Sequence, residues 1–285
     1  MRKLIALLIL ALAAGAFAQD VTVSTADASP QNLWLVEFNS APTADGGTSS
    51  ATQKDKTNFR SAAKAAKINF TERKSFDTLW NGMPIAATPG AAAAIQGLPG
   101  VKAVYPDAQV TYNPGADDSS AVEMVTAVTM TGADQARSTL GLTGAGVKVA
   151  VIDTGLDYRH PDLGNCSGGI GPGCRVAKGY DLVGDAFNNS TITTPTPDND
   201  PMDCAGHGTH VAGIIGANGD PTTGGVRGVA PGVIFYSYRV FGCTGTTQSS
   251  IMLDALERLE SLDRRFQIRS RVAADRIGNV ASARG

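Results

Sequence analysis

The run Val147-Lys148-Val149-Ala150-Val151-Ile152 constrains this chain more than any other. It is almost continuous in apolar side chains, as a strand is when helices cover both faces of a parallel sheet. It stops at Asp153-Thr154-Gly155. A carboxylate at the carboxyl end of such a strand lies where open α/β sheets gather ligands and catalytic groups. Residues 233–240 supply a further strand of the same kind. The expected fold class is therefore α/β, a parallel sheet flanked by helices.

Between these strands lies Gly206-His207-Gly208-Thr209-His210-Val211-Ala212-Gly213, which runs on through small apolar residues to Ala217. The pattern predicts a helix buried on most of its surface. Glycine on either side of His207 lets other backbone approach closely, and a histidine held rigidly yet reachable suits a general base. Two other roles compete. A lone histidine most often just satisfies hydrogen bonds. His207 and His210, three apart on one face, also have the spacing of a metal pair, but the glutamate of the His-Glu-x-x-His zinc motif is absent. Asp-Thr-Gly in turn is the mark of aspartic proteases, which pair two such carboxylates. Only one copy is present here, without the alternation of an all-β protein.

Length and charge set the bounds. The chain has 285 residues, 42% hydrophobic, and a formal net charge of -2. That balance gives no reason to expect nucleic acid or an anionic membrane surface as partner. Residues 1–18 read as a signal peptide: Arg2 and Lys3, a short apolar core, then Ala16-Phe17-Ala18. The mature protein is expected to be exported, a monomer outside the cell with no membrane attachment after signal cleavage. Export favours disulfides over a cysteine zinc site. Cys166, Cys174, Cys204 and Cys243 allow three pairings. Cys166 and Cys174 enclose a Gly/Pro-rich loop suited to a local bridge, which leaves Cys204 with Cys243.

Residues 19–115 read as a small domain of their own. Strands are expected at 33–38, 76–80, 83–88 and 101–105, and helices at 54–68 and from Pro89 to about Gly97. Asn81-Gly82 would form a hairpin turn. The order β-α-β-β-α-β is the ferredoxin-like α+β arrangement. Nothing in it looks catalytic. Residues 116–130, following the polar Asn113-Pro114-Gly115, read as an exposed linker suited to proteolytic processing.

At this point a resemblance takes shape. Val149-Ala150-Val151-Ile152-Asp153-Thr154-Gly155-Leu156-Asp157, followed by His160-Pro161-Asp162-Leu163, resembles the aspartate segment of the subtilisin-like serine proteases. Gly206 to Gly213 resembles their histidine segment, and Gly228-Val229-Ala230-Pro231 the turn after it. Asn199-Asp200-Pro201-Met202-Asp203-Cys204 is similar to the approach to the histidine in larger secreted bacterial members. The resemblance implies that Asp153 orients His207, that His207 takes a proton from a serine attacking a peptide carbonyl, and that protein or peptide is the substrate. It implies that residues 19–115 are an inhibitory propeptide and that residues 131–259 are the amino-terminal part of the catalytic domain. It assigns His210 to the inward side of the helix in a structural role. His160 receives none. No cofactor is required for catalysis. The acidic stretch Asp181, Asp185, Asp198, Asp200 and Asp203 suggests structural calcium, with a solvated loop as the plainer reading.

From about Glu260 the pattern is lost. Residues 260–285 carry arginine at 264, 265, 269, 271, 276 and 284 and no lysine. A basic helix for a partner is one reading; a shifted frame or misjoined end is the simpler one. The family's chain order is Asp, His, Ser, and its Gly-Thr-Ser-Met-Ala segment is absent from the 285 residues. Ser249 and Ser250 stand in the wrong context. The expectation is a precursor cut short of its serine and inactive as written. The alternative is a non-enzymatic protein whose propeptide-like domain inhibits a protease or aids folding.

Overall fold

The computed structural model describes residues 21–24, 32–112 and 124–262. The signal-peptide segment, residues 113–123 and the tail beyond 262 lie outside the described residues.

A short strand, β1 (Val21–Ser24), comes first. Next is an antiparallel unit in the order β2 (Leu33–Phe38), α1 (Ser49–Ala65), β3 (Thr71–Glu72), β4 (Gly82–Ala86), α2 (Pro89–Gln96) and β5 (Val101–Pro106). Its strands lie in the order β3-β4-β2-β5, so the expected β-α-β-β-α-β succession is present. Val36, Phe38, Met83 and Ile85 from the sheet meet Phe59 and Ala63 of α1 and Ile95 of α2 in one core. Both helices start at threonine: Thr48 accepts from the Ala51 N–H and Thr88 from the Ala91 N–H, each at 3.2 Å. These side chains satisfy donors that the first helical turn leaves open. The Thr48 cap explains why α1 begins ahead of the expected Lys54.

One strand expectation fails. Residues 76–80 form no ladder; Phe76 makes a single bridge to Gly82, and the two-residue β3 stands beside β4 instead. The N–H groups of Thr78, Leu79 and Trp80 turn away from the sheet to the Glu257 carboxylate, at 3.2, 2.7 and 3.1 Å.

The chain continues through β6 (Gln109–Tyr112), α3 (Met124–Met130), α4 (Ala133–Leu140), β7 (Lys148–Asp153), β8 (Val176–Asp181), α5 (His207–Gly216), β9 (Ile234–Arg239), β10 (Thr246–Gln248) and α6 (Ser249–Leu262). Part of the expected linker is thus helical, with Val128 of α3 buried. Strands β7, β9 and β8 form a parallel sheet with β9 in the middle. Its two faces part along β9 as the strand alternation requires. Phe235 packs with Ala212 of α5, while Tyr236 and Tyr238 pack with Ala255 and Leu259 of α6. Helices therefore cover both faces, as the apolar runs predicted. No helix among the described residues is long and apolar enough to cross a membrane.

A third sheet joins the two halves. Its order is β1-β6-β10, antiparallel throughout. Beside it Asp107 accepts from Ser249 Oγ and the Ser250 N–H, both at 2.9 Å, and so closes the amino end of α6. Arg73 Nη1 donates to Gln248 Oε1 at 3.0 Å, and Lys74 pairs with Asp254.

Candidate active site

Strand β7 delivers Asp153 at its carboxyl end, and the amino end of α5 delivers His207. The two side chains meet with Nδ1 2.7 Å from Asp153 Oδ1. His207 is 20% exposed and Asp153 14%. A carboxylate can only accept, so the ring donates from Nδ1, and the neutral tautomer then carries its lone pair on Nε2. Such an imidazole is a proton acceptor with its orientation fixed.

Glycine makes this meeting sterically possible. Gly206 has φ 88°, a left-handed conformation that costs L-residues about 1–2 kcal/mol, and it turns the chain into α5. Gly208 lies against the Asp-Thr-Gly turn so closely that a Cβ there would stand 2.0 Å from the Gly155 carbonyl oxygen.

A hydrogen-bonded shell surrounds the pair. Thr154 N–H donates to Asp153 Oδ1 at 2.6 Å, and Thr154 Oγ1 accepts from the Gly208 N–H at 2.9 Å. Asp203 sits behind both segments and accepts from Thr154 Oγ1 at 3.0 Å. Burial alone would raise the Asp203 carboxyl; hydrogen bonds from the Thr209 side chain and from the N–H groups of Ala205, Gly206 and Thr209 outweigh it and hold it below 3.8.

Opposite the shell, Tyr112 at the end of β6 lays its ring on His207, with centroids 4.3 Å apart. Its N–H donates to the Gly245 carbonyl at 2.7 Å. Burial first, then the charges of Asp153 and Asp203, push the Tyr112 phenol above its ordinary range. Val110, two residues back, is buried among Phe241, Ile251 and Val240. Strand β6 thus lies between β1 and β10 and ends with Tyr112 against His207.

Residues 144–280 match the Peptidase_S8 model, the subtilase family. Similar curated proteins carry protease names. The chain is 31% identical over 252 residues to the minor extracellular protease Vpr of Bacillus subtilis, a match covering 84% of this chain and 29% of that protein. It is 38% identical over 117 residues to subtilisin E of the same organism, covering 41% and 24%. It is also 38% identical over 112 residues to the thermophilic serine proteinase of Bacillus sp. strain AK1, covering 39% and 22%. The chain spans less than a third of the length of these relatives. The α/β sheet with its flanking helices is consistent with the subtilase fold.

Other candidate residues fall apart from the pair. His210 is exposed on the outer side of α5, contrary to the inward placement expected. The reason is periodicity: Gly208, Ala212 and Gly216 form the buried face, which turns His210 and the 39%-exposed Ile214 outward. The same geometry leaves α5 only partly buried. His160 Nδ1 accepts from the Asp162 N–H at 3.2 Å and starts a 3-10 turn, Pro161–Leu163. Ser249 and Ser250 open α6 and donate their hydroxyls to Asp107. The disulfides are Cys166–Cys174 and Cys204–Cys243, as expected.

The five acidic residues do not gather into one cluster of metal-ligand spacing among the described residues. Asp181 accepts from the Val183 and Gly184 N–H groups, each at 2.8 Å, and pairs with Arg239 at 3.2 Å. Asp185 pairs with the same guanidinium at 2.6 Å. Asp198 accepts from the Asp200 N–H, Asp200 from the Tyr158 hydroxyl, and Asp203 belongs to the shell. Among the described residues, the one group with metal-ligand spacing is Asp185, Cys204 and Cys243. Its sulfurs are joined to each other, and buried Arg239 donates to both, at 2.9 and 3.3 Å. A guanidinium already holds the place a cation would take.

Strand β8, the Asp203 shell and the seat of Tyr112 escaped the sequence reading. Asp203 had a usable signal, an aspartate shortly before a helix with open N–H groups. Tyr112 had none, since its contact joins segments far apart in the chain.

Proposed function

We propose that the chain carries the carboxylate and the general base of a secreted subtilisin-type serine endopeptidase, exported by residues 1–18 and inhibited by its own residues 19–115. The Asp153–His207 hydrogen bond carries this reading. Asp153 holds the imidazole with Nε2 ready to take a proton from a serine hydroxyl as that hydroxyl attacks a peptide carbonyl. The imidazolium then returns the proton to the leaving amine, while ionised Asp153 stabilises the positive ring. The subtilase match over residues 144–280 supports the assignment. The Vpr match covers 84% of the chain and therefore reaches upstream of that segment. Because the 285 residues contain no Gly-Thr-Ser-Met-Ala segment, we expect them by themselves to hydrolyse no peptide bond.

A second reading, a propeptide-like inhibitor or folding aid without catalysis of its own, draws on the seat of Tyr112 over His207. One experiment separates the two. The native protein is isolated from its source and treated with a serine-directed fluorophosphonate, and labelled species are sequenced by mass spectrometry. The enzyme reading expects a labelled species that contains residues 144–262, with labelling lost in His207→Ala. An unlabelled protein that slows casein cleavage by an added subtilisin would sink the enzyme reading in favour of the second.

A further inference from the structure

Asp203 holds together two segments that reach the acid–base pair from different directions. Its Oδ1 accepts from Thr154 Oγ1 at 3.0 Å and from the Ala205 and Gly206 N–H groups, both at 2.9 Å. Its Oδ2 accepts from Thr209 N–H at 2.9 Å and Thr209 Oγ1 at 2.5 Å. The two hydroxyls are used reciprocally. Thr154, on the turn after β7, accepts from the Gly208 N–H of α5 at 2.9 Å. Thr209, on α5, accepts from the Asp157 N–H of that turn at 2.9 Å.

A hydroxyl has one proton to donate. Each threonine gives its proton to Asp203, which leaves the oxygen lone pairs for the N–H from the opposite segment. An ionised carboxylate offers no proton, so it sets both hydroxyls in the same sense. Thr154 is fully buried, and its own N–H holds Asp153 Oδ1, the atom that His207 contacts.

We propose that Asp203 is a positioning residue for proton transfer at His207: by orienting the Thr154 and Thr209 hydroxyls it fixes the head of α5 against the Asp153 turn. This rests on the reading of His207 as a base held by Asp153. Asparagine at 203 would place an amide donor where one of these hydroxyls donates, reversing that hydroxyl and releasing its N–H partner. The carboxylate's charge-assisted hydrogen bonds would be lost as well.

Proton NMR of the full chain, labelled at histidine nitrogen, reads this directly through the low-field resonance of the His207 Nδ1–H. Asp153→Asn should remove that resonance. Asp203→Asn should remove it too, or speed its exchange with water at least about tenfold. Thr154→Val, which keeps shape and deletes the hydroxyl, should do the same, and Thr154→Ser should retain the wild-type signal. Amide resonances of β2 and α1 report whether each variant is folded, and Thr154→Val decides the matter if Asp203→Asn is not. An unchanged resonance and exchange rate in folded Asp203→Asn or Thr154→Val would overturn the positioning role while leaving the pair intact. A resonance that survives Asp153→Asn would overturn the pair itself, and the proposal with it.

Discussion

Asp153 and His207 come together through residues that take no part in proton transfer. Gly208 removes the side chain that would strike the Gly155 carbonyl, and Asp203 gathers the donors that remain. The Asp203 carboxyl is held below its ordinary value, so its stabilising contribution is fully present above 3.8 and is lost as the pH falls through the lower folded-state value. Thermal unfolding of Asp203→Asn should therefore lie furthest below wild type at neutral pH, with the gap closing in acid. A gap that widens in acid would contradict the hydrogen-bonding account. His210 shows the limit of residue-by-residue reading. Its spacing from His207 was legible, whereas its exposure followed from which face of α5 the small residues occupy.

At the scale of elements, what the sequence revealed depended on where each element finds its partner. Strands β7 and β9 were legible because coverage of both faces by helices writes a nearly continuous apolar run. Strand β8 was not, since Lys178 and Gly179 interrupt it and its apolar content is low. Residues 76–80 misled for the opposite reason. Phe76 and Leu79 are buried and Trp80 half-buried, but the N–H groups of residues 78–80 serve Glu257 rather than a ladder. The cysteine pairing followed from loop composition, yet its placement did not. Cys204 lies just before α5 and Cys243 just before β10, so this bridge ties the His207 segment to the strand paired with β6. Closing a sequence separation of 39 is worth about 4 kcal/mol by chain entropy, against about 2.5 kcal/mol for the separation of 8 in Cys166–Cys174. Urea unfolding of Cys204→Ser/Cys243→Ser should show the larger loss of the two double variants. The reverse order would mean that the local Gly-rich loop matters more to the fold than the tie between α5 and β10 does.

For the whole molecule, two buried carboxylates strengthen the contact between the halves beside the shared sheet. Glu257, 9% exposed, takes three backbone N–H groups of the amino-terminal unit, and Asp107 of that unit in turn closes the start of α6. Removing a buried charged acceptor from its donors costs about 1.5–3 kcal/mol. Glu257→Ala should accordingly raise hydrogen exchange at the Thr78, Leu79 and Trp80 amides by at least about tenfold, while the amides of β2 and β4 stay protected. Exchange that rises equally throughout the unit would show that Glu257 supports its internal fold and not the contact between halves.

The joint sheet also dictates an order of events in folding. The Ala108–Ser249 hydrogen bond joins residues 141 apart in the chain, about twice the widest strand pairing of the antiparallel unit, Trp34 with Pro106. Long loops close slowly, because chain entropy is lost before any contact rewards it. Strand β10 has three residues, too few to persist without a partner. It is therefore expected to take shape on β6 after the amino-terminal unit has formed. In this chain the strand that lays Tyr112 on His207 is also the edge on which β10 is paired.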